Sequence, residues 1–274
     1  MTSVLRNEIE TPGEAFKEFF RSYRSDQNGS KYCTLLTQIS ARGEKSLLVE
    51  FEDLIAFDPA LARNIVERPD PFIGFATMAA TAQMRLEDPD YASHVGTIFA
   101  RFRGLPEKIS PRRLSAKDIR KLVSVRGTIT KAGRVDVMLL RAAFRCRKCL
   151  EITVQGEEGE LVQGPGSRCQ FCKQTTSFAL LEEESKFIDC QNVTIEDSSP
   201  SAPDRTISLS QVDAVLKRDL VDTVQVKDEV DVTGIVNVNL SKRGRGGRGR
   251  LALYLDANYI ERAREQIATF SPAL

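Results

Sequence analysis

Four cysteines in two short pairs are the densest chemistry in this sequence. Cys146 and Cys149 stand in FRCRKC and Cys169 and Cys172 in SRCQFC, with nineteen residues between the pairs. Two residues between paired cysteines let both sulfurs face into one tight turn. Two such turns, brought together by a hairpin, supply the tetrahedron of sulfurs that Zn2+ favours. Four sulfurs leave no coordination position for water, so an ion held there would be structural. The basic neighbours Arg145, Arg147, Lys148, Arg168 and Lys173 are expected to help keep the thiols ionised. The competing reading is a pair of unrelated redox turns or disulfides. Cys33 and Cys190 fall beside a helical apolar stripe and in a strand-like run, and read as buried inert thiols.

A second concentration is KRGRGGRGR at residues 242–250, in which five cations, Lys242, Arg243, Arg245, Arg248 and Arg250, are interspersed with four glycines. The chain as a whole has 39 basic and 38 acidic residues, so this excess is local. Glycine–arginine composition is common in disordered RNA-binding tails. Here the stretch is bracketed by Val230, Val232, Val236, Val238 and Leu240 on one side and Leu251, Leu253 and Leu255 on the other, an alternation of period two. That pattern predicts a long β-hairpin over residues 236–255 with the charges at its tip. Five like charges without an acid repel one another, which points to an anionic partner. For a nucleic acid, each phosphate neutralised adds roughly −0.9 to the log–log salt slope on duplex DNA and less on single strands. A solvated loop without a role is the plain alternative.

The elements that must carry these groups change character along the chain. Residues 1–93 read as a helical bundle: Thr11-Pro12 is a helix start, and Phe16, Phe19, Phe20 and Tyr23 recur at helical spacing. Tyr32, Leu35, Leu36 and Ile39 repeat that spacing. Asp58-Pro59 opens a third helix and Pro71 a fourth that stops near Asp88-Pro89. These aromatic stripes read as core. Residues 46–51 are short and apolar, compatible with helix or strand. The lone histidine, His94, reads as structural. Beyond it, short β-branched segments near Val123 and Val125, at 187–195, 206–209 and 230–240, broken by Gly, Pro and Ser, predict half-buried strands in a small β-barrel. The fold class is thus α+β with several subdomains.

No apolar run reaches about eighteen residues, and the first residues carry acids where a signal peptide needs an apolar core, which excludes a membrane span and points to an intracellular protein. No G-x-x-x-x-G-K-[ST] loop, no serine–histidine–acid set and no open metal position occur, so nothing in the chain is assigned a catalytic role.

The order of these features resembles the N-terminal region of the minichromosome maintenance (MCM) replicative DNA helicases, most closely the archaeal form. The resemblance is carried by Lys45, Ser46 and Leu47 through Phe51, Glu52, Asp53 and Leu54, and by Gly104, Leu105 and Pro106 followed by Ile119, Leu122, Val123, Val125 and Gly127. It continues through FRCRKC, through Phe187, Ile188, Asp189, Cys190 and Gln191 with Val193 to Glu196, and through Leu220, Val221 and Asp222 with Val230 to Ile235. It implies a helical subdomain at 1–93, an oligonucleotide-binding (OB) barrel at 94–143 and 181–265, a C4 zinc ribbon inserted at 144–180, and the start at 266–274 of a linker to an ATPase module.

The resemblance also implies a homo-oligomer, a hexameric ring or double hexamer, with the basic hairpin in a central channel. There Lys242, Arg243, Arg245, Arg248 and Arg250 would hold single-stranded or duplex DNA irrespective of sequence. Lys131, Arg134, Arg141 and Arg205 would add contacts on the barrel face. The zinc ribbon would serve ring–ring contacts, and residues 197–204 would communicate with the ATPase. Other replication proteins are implied partners, with a cytoplasmic location if the source is archaeal and a nuclear one if eukaryotic. The sequence departs from the family pattern with an acid at Asp136, with Cys190 where an aromatic is common, and with Lys227-Asp228 for glycine-aspartate. Two other readings fit the same residues: a zinc-containing protein-interaction scaffold, and a stand-alone OB-fold binder of single-stranded nucleic acid.

Overall fold

The computed structural model describes residues 11–24, 29–156, 164–197, 211–241 and 250–263. They fall into two compact units, one built from Met1–Ala132, Val193–Val215 and Thr223–Leu274 and the other from Gly133–Asn192 and Leu216–Asp222. No helix among the described residues is long and apolar enough to cross a membrane.

The first unit opens with a helical module: α1 (Pro12–Ser22), α2 (Lys31–Arg42), β1 (Ser46–Glu50), α3 (Phe51–Phe57), α4 (Pro59–Glu67), α5 (Pro69–Glu87), α6 (Pro89–Val95) and β2 (Phe99–Arg103). Its boundaries follow local chemistry. Ser30 Oγ accepts the Cys33 N–H at the start of α2, and Gly43 ends that helix in a left-handed conformation, φ 69°. Asp58 accepts the N–H groups of Ala60 and Leu61, with Pro59 next to it at the helix start. Asp88-Pro89, expected only to stop α5, repeats this device: Asp88 accepts the Tyr91 N–H and α6 begins. His94 lies exposed in the last turn of α6. The aromatic stripe is core, as its spacing indicates, with Phe16, Phe19, Phe20 and Tyr32 fully buried. The Tyr32 hydroxyl donates to Asp53 Oδ2 at 2.7 Å and accepts the Glu50 N–H at 3.2 Å, so the one polar atom of this cluster is satisfied.

Residues 46–51, left open between helix and strand, form β1 and the first residue of α3. The partner of β1 is β2, paired in parallel from Ser46 opposite Phe99 to Glu50 opposite Arg103, which is remote in sequence and invisible to local pattern. The module is therefore not purely helical. Among the described residues, the other edge of β2 meets side chains instead of a strand. Ile98 N–H donates to Thr81 Oγ1 at 3.0 Å and Ala100 N–H to Thr77 Oγ1 at 3.2 Å, both from α5. Phe102 N–H donates to Asn258 Oδ1 at 2.7 Å, and Asn258 Nδ2 donates to Ala100 O at 3.0 Å. Leaving any of these buried groups unpaired would cost about 1–3 kcal/mol each.

The strands that follow are β3 (Lys108–Ile109), β4 (Leu122–Cys146), β5 (Ile152–Gln155), β6 (Phe178–Glu196), β7 (Gln211–Lys217), β8 (Glu229–Ser241) and β9 (Arg250–Arg262). Pairing runs β4–β6–β7–β9–β8, and β8 pairs again with β4, Leu122 opposite Ile235 through Thr128 opposite Glu229. β8 and β9 are antiparallel from Val230 opposite Arg262 to Ser241 opposite Arg250.

The alternation at 230–240 predicts a half-buried strand, but Val230, Asp231, Val232, Thr233, Ile235 and Val236 are all buried. Ile235 and Leu122 belong to the same apolar cluster as the helical core, so the module covers the second face of the sheet there. The ladder contains one irregularity: Thr233 faces Tyr259 and Gly234 faces Ala257, which leaves Asn258 as a bulge residue. A Cβ at Gly234 would lie 2.8 Å from Asp256 O and 3.2 Å from Ala257 Cα, so this close approach requires glycine.

In the second unit the later part of β4 pairs with β5, Ala142 opposite Gln155 to Arg145 opposite Ile152. Buried Gln191 ties the stretch Leu216–Asp222 to this unit. Its Oε1 accepts the Asp222 N–H at 3.0 Å, and its Nε2 donates to Gly133 O at 2.9 Å.

Lys227, which stands where the family pattern has glycine, has φ 81°, in the left-handed region. Its N–H donates to Ile129 O at 2.8 Å, and Asp228 Oδ2 accepts the Gln225 N–H at 2.8 Å, so the turn is held by its hydrogen bonds. Lys227→Gly is expected to stabilise the fold by about 0.5–1 kcal/mol, because relief of the left-handed strain exceeds the entropy that glycine adds to the unfolded chain. Thermal denaturation of the two proteins checks this, and an unchanged or lower midpoint contradicts it.

Candidate metal centre and nucleic-acid interface

The four paired cysteines converge. One sulfur from each of Cys146, Cys149, Cys169 and Cys172 lies within 4.8 Å of the others, with Cys146 and Cys169 buried. The Cys146–Cys172 separation is 4.0 Å and the Cys149–Cys169 separation 3.7 Å, so each pair is apposed to the other. A zinc tetrahedron with bonds of about 2.3 Å has sulfur–sulfur edges of about 3.8 Å. A disulfide needs about 2.05 Å. All four thiols are free. The set therefore fits a tetrahedral ion, and neither disulfides nor two independent redox turns describe it.

The two turns share one local design. The N–H two residues after the leading cysteine donates to its sulfur, Lys148 to Cys146 and Phe171 to Cys169, both at 3.4 Å. The leading cysteine's own N–H donates five residues on, Cys146 to Glu151 O at 2.9 Å and Cys169 to Gln174 O at 3.0 Å. The residue four positions on is left-handed in both, Leu150 with φ 66° and Lys173 with φ 58°. Backbone thus aims each sulfur inward.

The thiol of Cys146 is drawn down to about 6, first by the Cys149 backbone N–H and then by that of Lys148 against an opposing desolvation. Cys149, although the Glu151 N–H lowers it, is pushed up to about 12 by desolvation and by the sulfurs around it. The expectation that basic side chains ionise the cluster is corrected here: peptide N–H groups lower Cys146, while Arg145, Arg147, Lys148, Arg168 and Lys173 are exposed, and Arg168 Nε donates to the Lys173 carbonyl at 2.7 Å. Cys190 is buried and Cys33 half-buried; burial raises both thiols, in keeping with inert side chains.

The expected DNA contacts divide differently. Lys131, Arg134 and Arg141 are exposed on β4, Lys131 in the first unit and the other two in the second. Arg134 Nε sits 2.8 Å from Asp136 Oδ1, so the acid that departs from the family pattern neutralises the neighbouring cation. Arg250 opens β9 opposite Ser241. Lys242, Arg243, Arg245, Arg248 and Arg205 lie outside the described residues.

A second basic run, Arg112, Arg113, Lys117, Arg120 and Lys121, was not singled out by sequence reading, and the structure shows why composition misleads there. Arg112 meets Asp197 at 3.3 Å, Arg113 Glu107 at 2.9 Å, Arg120 Asp70 at 2.8 Å and Lys121 Glu67 at 2.8 Å. Those charges are internally matched. Asp231, buried in β8, is likewise held by Arg126 through Nε and Nη2 at 2.7 and 2.6 Å and by Lys108 Nζ at 2.6 Å. Burial opposes ionisation of Asp231, but these cations outweigh it and keep the carboxyl below its ordinary 3.8. Its one sequence signal was an acid between Val230 and Val232 in an alternating run.

Comparison with known proteins gives a consistent picture. The MCM N-terminal domain matches residues 13–104 and the MCM OB domain residues 108–240. The chain is 27% identical over 254 residues to the minichromosome maintenance protein MCM of Saccharolobus solfataricus, covering 90% of this chain and 37% of that protein. It is 26% identical over 252 residues to DNA replication licensing factor mcm2 of Schizosaccharomyces pombe, covering 91% and 30%. With DNA replication licensing factor MCM6 of Arabidopsis thaliana the identity is 28% over 233 residues, covering 81% and 27%. The chain thus spans between a quarter and two fifths of the length of these relatives.

Elemental analysis of the purified chain is expected to find one zinc per chain, and Cys169→Ser to abolish its retention and unfold the second unit selectively; zinc retained by that variant contradicts the assignment. The Asp231 carboxyl, depressed in the folded state, contributes stability that is full above its ordinary value and lost as pH falls through the lowered one. Asp231→Asn is therefore expected to cost about 2 kcal/mol at neutral pH, where two half-exposed cations lose their acid, and to flatten the decline of stability below pH ~4. Denaturant titration across pH checks both.

Proposed function

Because the chain belongs to the minichromosome maintenance (MCM) family, whose N-terminal and OB domains it carries, we propose that it is the DNA-binding and ring-assembly region of an ATP-dependent replicative helicase. In this reading β4, β6, β7, β9 and β8 close an OB barrel, which the return of the pairing order to β4 supports. Cys146, Cys149, Cys169 and Cys172 hold a structural Zn2+ that fixes the second unit and performs no chemistry of its own. ATP hydrolysis belongs to a module outside the described residues.

One observation carries the reading. The basic stretch joins two antiparallel strands whose register reaches Ser241 opposite Arg250, immediately at its two ends. That pairing supports a hairpin with Lys242, Arg243, Arg245, Arg248 and Arg250 at its tip. Exposure rises toward that end, from buried Val236 to exposed Val238, Asn239 and Ala252, as strands leaving a barrel would show. Six copies in a ring would bring about thirty cations around a central channel, enough to hold a phosphate backbone of any sequence. Lys131, Arg141 and Arg205 are auxiliary contacts, and Arg134 contributes less because Asp136 offsets it.

Fluorescence-anisotropy titration of single-stranded and duplex DNA at several salt concentrations tests this. The variant with Lys242, Arg243, Arg245, Arg248 and Arg250 all replaced by alanine is expected to lose roughly tenfold or more in affinity at low salt and most of its salt slope. Equal binding by both proteins would instead favour the protein-interaction scaffold.

A further inference from the structure

We infer that Asn258 is a positioning residue that passes order imposed on β8 and β9 to the helical module through β2. The inference rests on the DNA-binding reading above for its trigger, but its geometry stands apart from it. Asn258 is the residue skipped by the β8–β9 ladder. A bulge residue has its side chain re-aimed away from the regular pleat. Here the carboxamide turns onto the edge of β2, with Oδ1 accepting the Phe102 N–H at 2.7 Å and Nδ2 donating to Ala100 O at 3.0 Å. It thereby supplies the donor and acceptor that a neighbouring strand would have supplied.

The same residue is held by its main chain. The Asn258 carbonyl accepts from Arg101 Nη1 at 2.9 Å, and Arg101 Nε donates to Ser46 Oγ of β1 at 3.1 Å. Asn258 and Arg101 are 7% and 6% exposed, so water does not replace these bonds in the folded chain. One bulge residue is thus bonded to three consecutive residues of β2 and, through Arg101, to β1. The remaining N–H groups on that edge, at Ile98 and Ala100, go to Thr81 and Thr77 and stay within the helical module. Phe102 N–H alone depends on β9.

The trigger is electrostatic. Like charges at the end of a two-stranded ladder oppose its pairing, and an anion bound there removes the opposition. β9 runs unbroken from Arg250 to Asn258, paired with β8 up to the bulge, so tightening of the ladder reaches the residue that caps β2. Gly234 is required for the bulge and is therefore part of the device.

Amide hydrogen exchange of the intact chain, read at Ile98, Ala100 and Phe102 with and without oligothymidylate at low salt, tests the coupling, with DNA affinity measured on the same samples. The Phe102 amide is expected to slow roughly tenfold on DNA addition and that of Ile98 to change little. Asn258→Ala and Gly234→Ala should each abolish the Phe102 response without weakening DNA binding, whereas Thr77→Val should leave it intact. DNA binding with no Phe102 response in the wild type, or a response that survives Asn258→Ala, overturns the coupling while leaving the DNA-binding reading in place. Should Asn258→Ala fail to fold, the wild-type contrast between Phe102 and Ile98 decides. Absence of any DNA binding removes the functional reading and the coupling with it.

Discussion

Buried peptide groups must find partners, and in the first unit that demand is concentrated where β2, β8 and β9 approach one another. Among the described residues β2 has a strand on one side only, and the N–H and C=O groups on its other edge, with Ile98 just before it, are met by Thr77, Thr81 and Asn258. Asn258 reaches that edge because it is displaced from the β8–β9 ladder, and the ladder tolerates the displacement because residue 234 lacks a side chain. Leu122 and Ile235 pack into the helical core beside this polar arrangement. Packing supplies most of the stabilisation here; hydrogen-bond satisfaction supplies the register.

Much of this was legible in the sequence, and the parts that were not share a physical cause. Helix starts at Asp58 and the aromatic core were readable because capping and helical periodicity act within one or two turns. The cysteine cluster was readable because ligand spacing is itself a geometric statement. β1 escaped because its partner is remote, and α6 because Asp-Pro both ends one helix and begins another. The burial of β8 on two faces was misread from strict alternation, since alternation records the contrast between faces only when one of them meets water. The roles of Asn258 and Arg101 were unreadable: nothing about an asparagine in a strand announces that its neighbour opposite is missing.

Charge was the least transparent property of all. Two runs rich in arginine and lysine look alike on paper, yet in the run from Arg112 to Lys121 four of the five cations face an acid, three of them one from another part of the fold. Such pairs, half-exposed as most of them are, contribute little each to stability. Their larger effect is to offset the positive charge that the composition of this run suggests. Asp231 illustrates the opposite case, a buried acid whose half-exposed partners Arg126 and Lys108 reach in to it and favour its ionised form.

The paired turns at the cysteine cluster have a consequence for how this region changes over generations. Each turn is specified by two sulfurs, a run of main-chain hydrogen bonds and one left-handed residue, and the residues between the sulfurs, Arg147 and Lys148 in one and Gln170 and Phe171 in the other, have exposed side chains. Side-chain substitutions at those four positions, proline at 148 and 171 excepted because it would remove the N–H that meets a sulfur, leave the sulfur geometry untouched. The tip is in effect a socket whose outer lettering can be rewritten freely, so a lineage can alter what this surface meets without re-evolving the centre that holds it in shape.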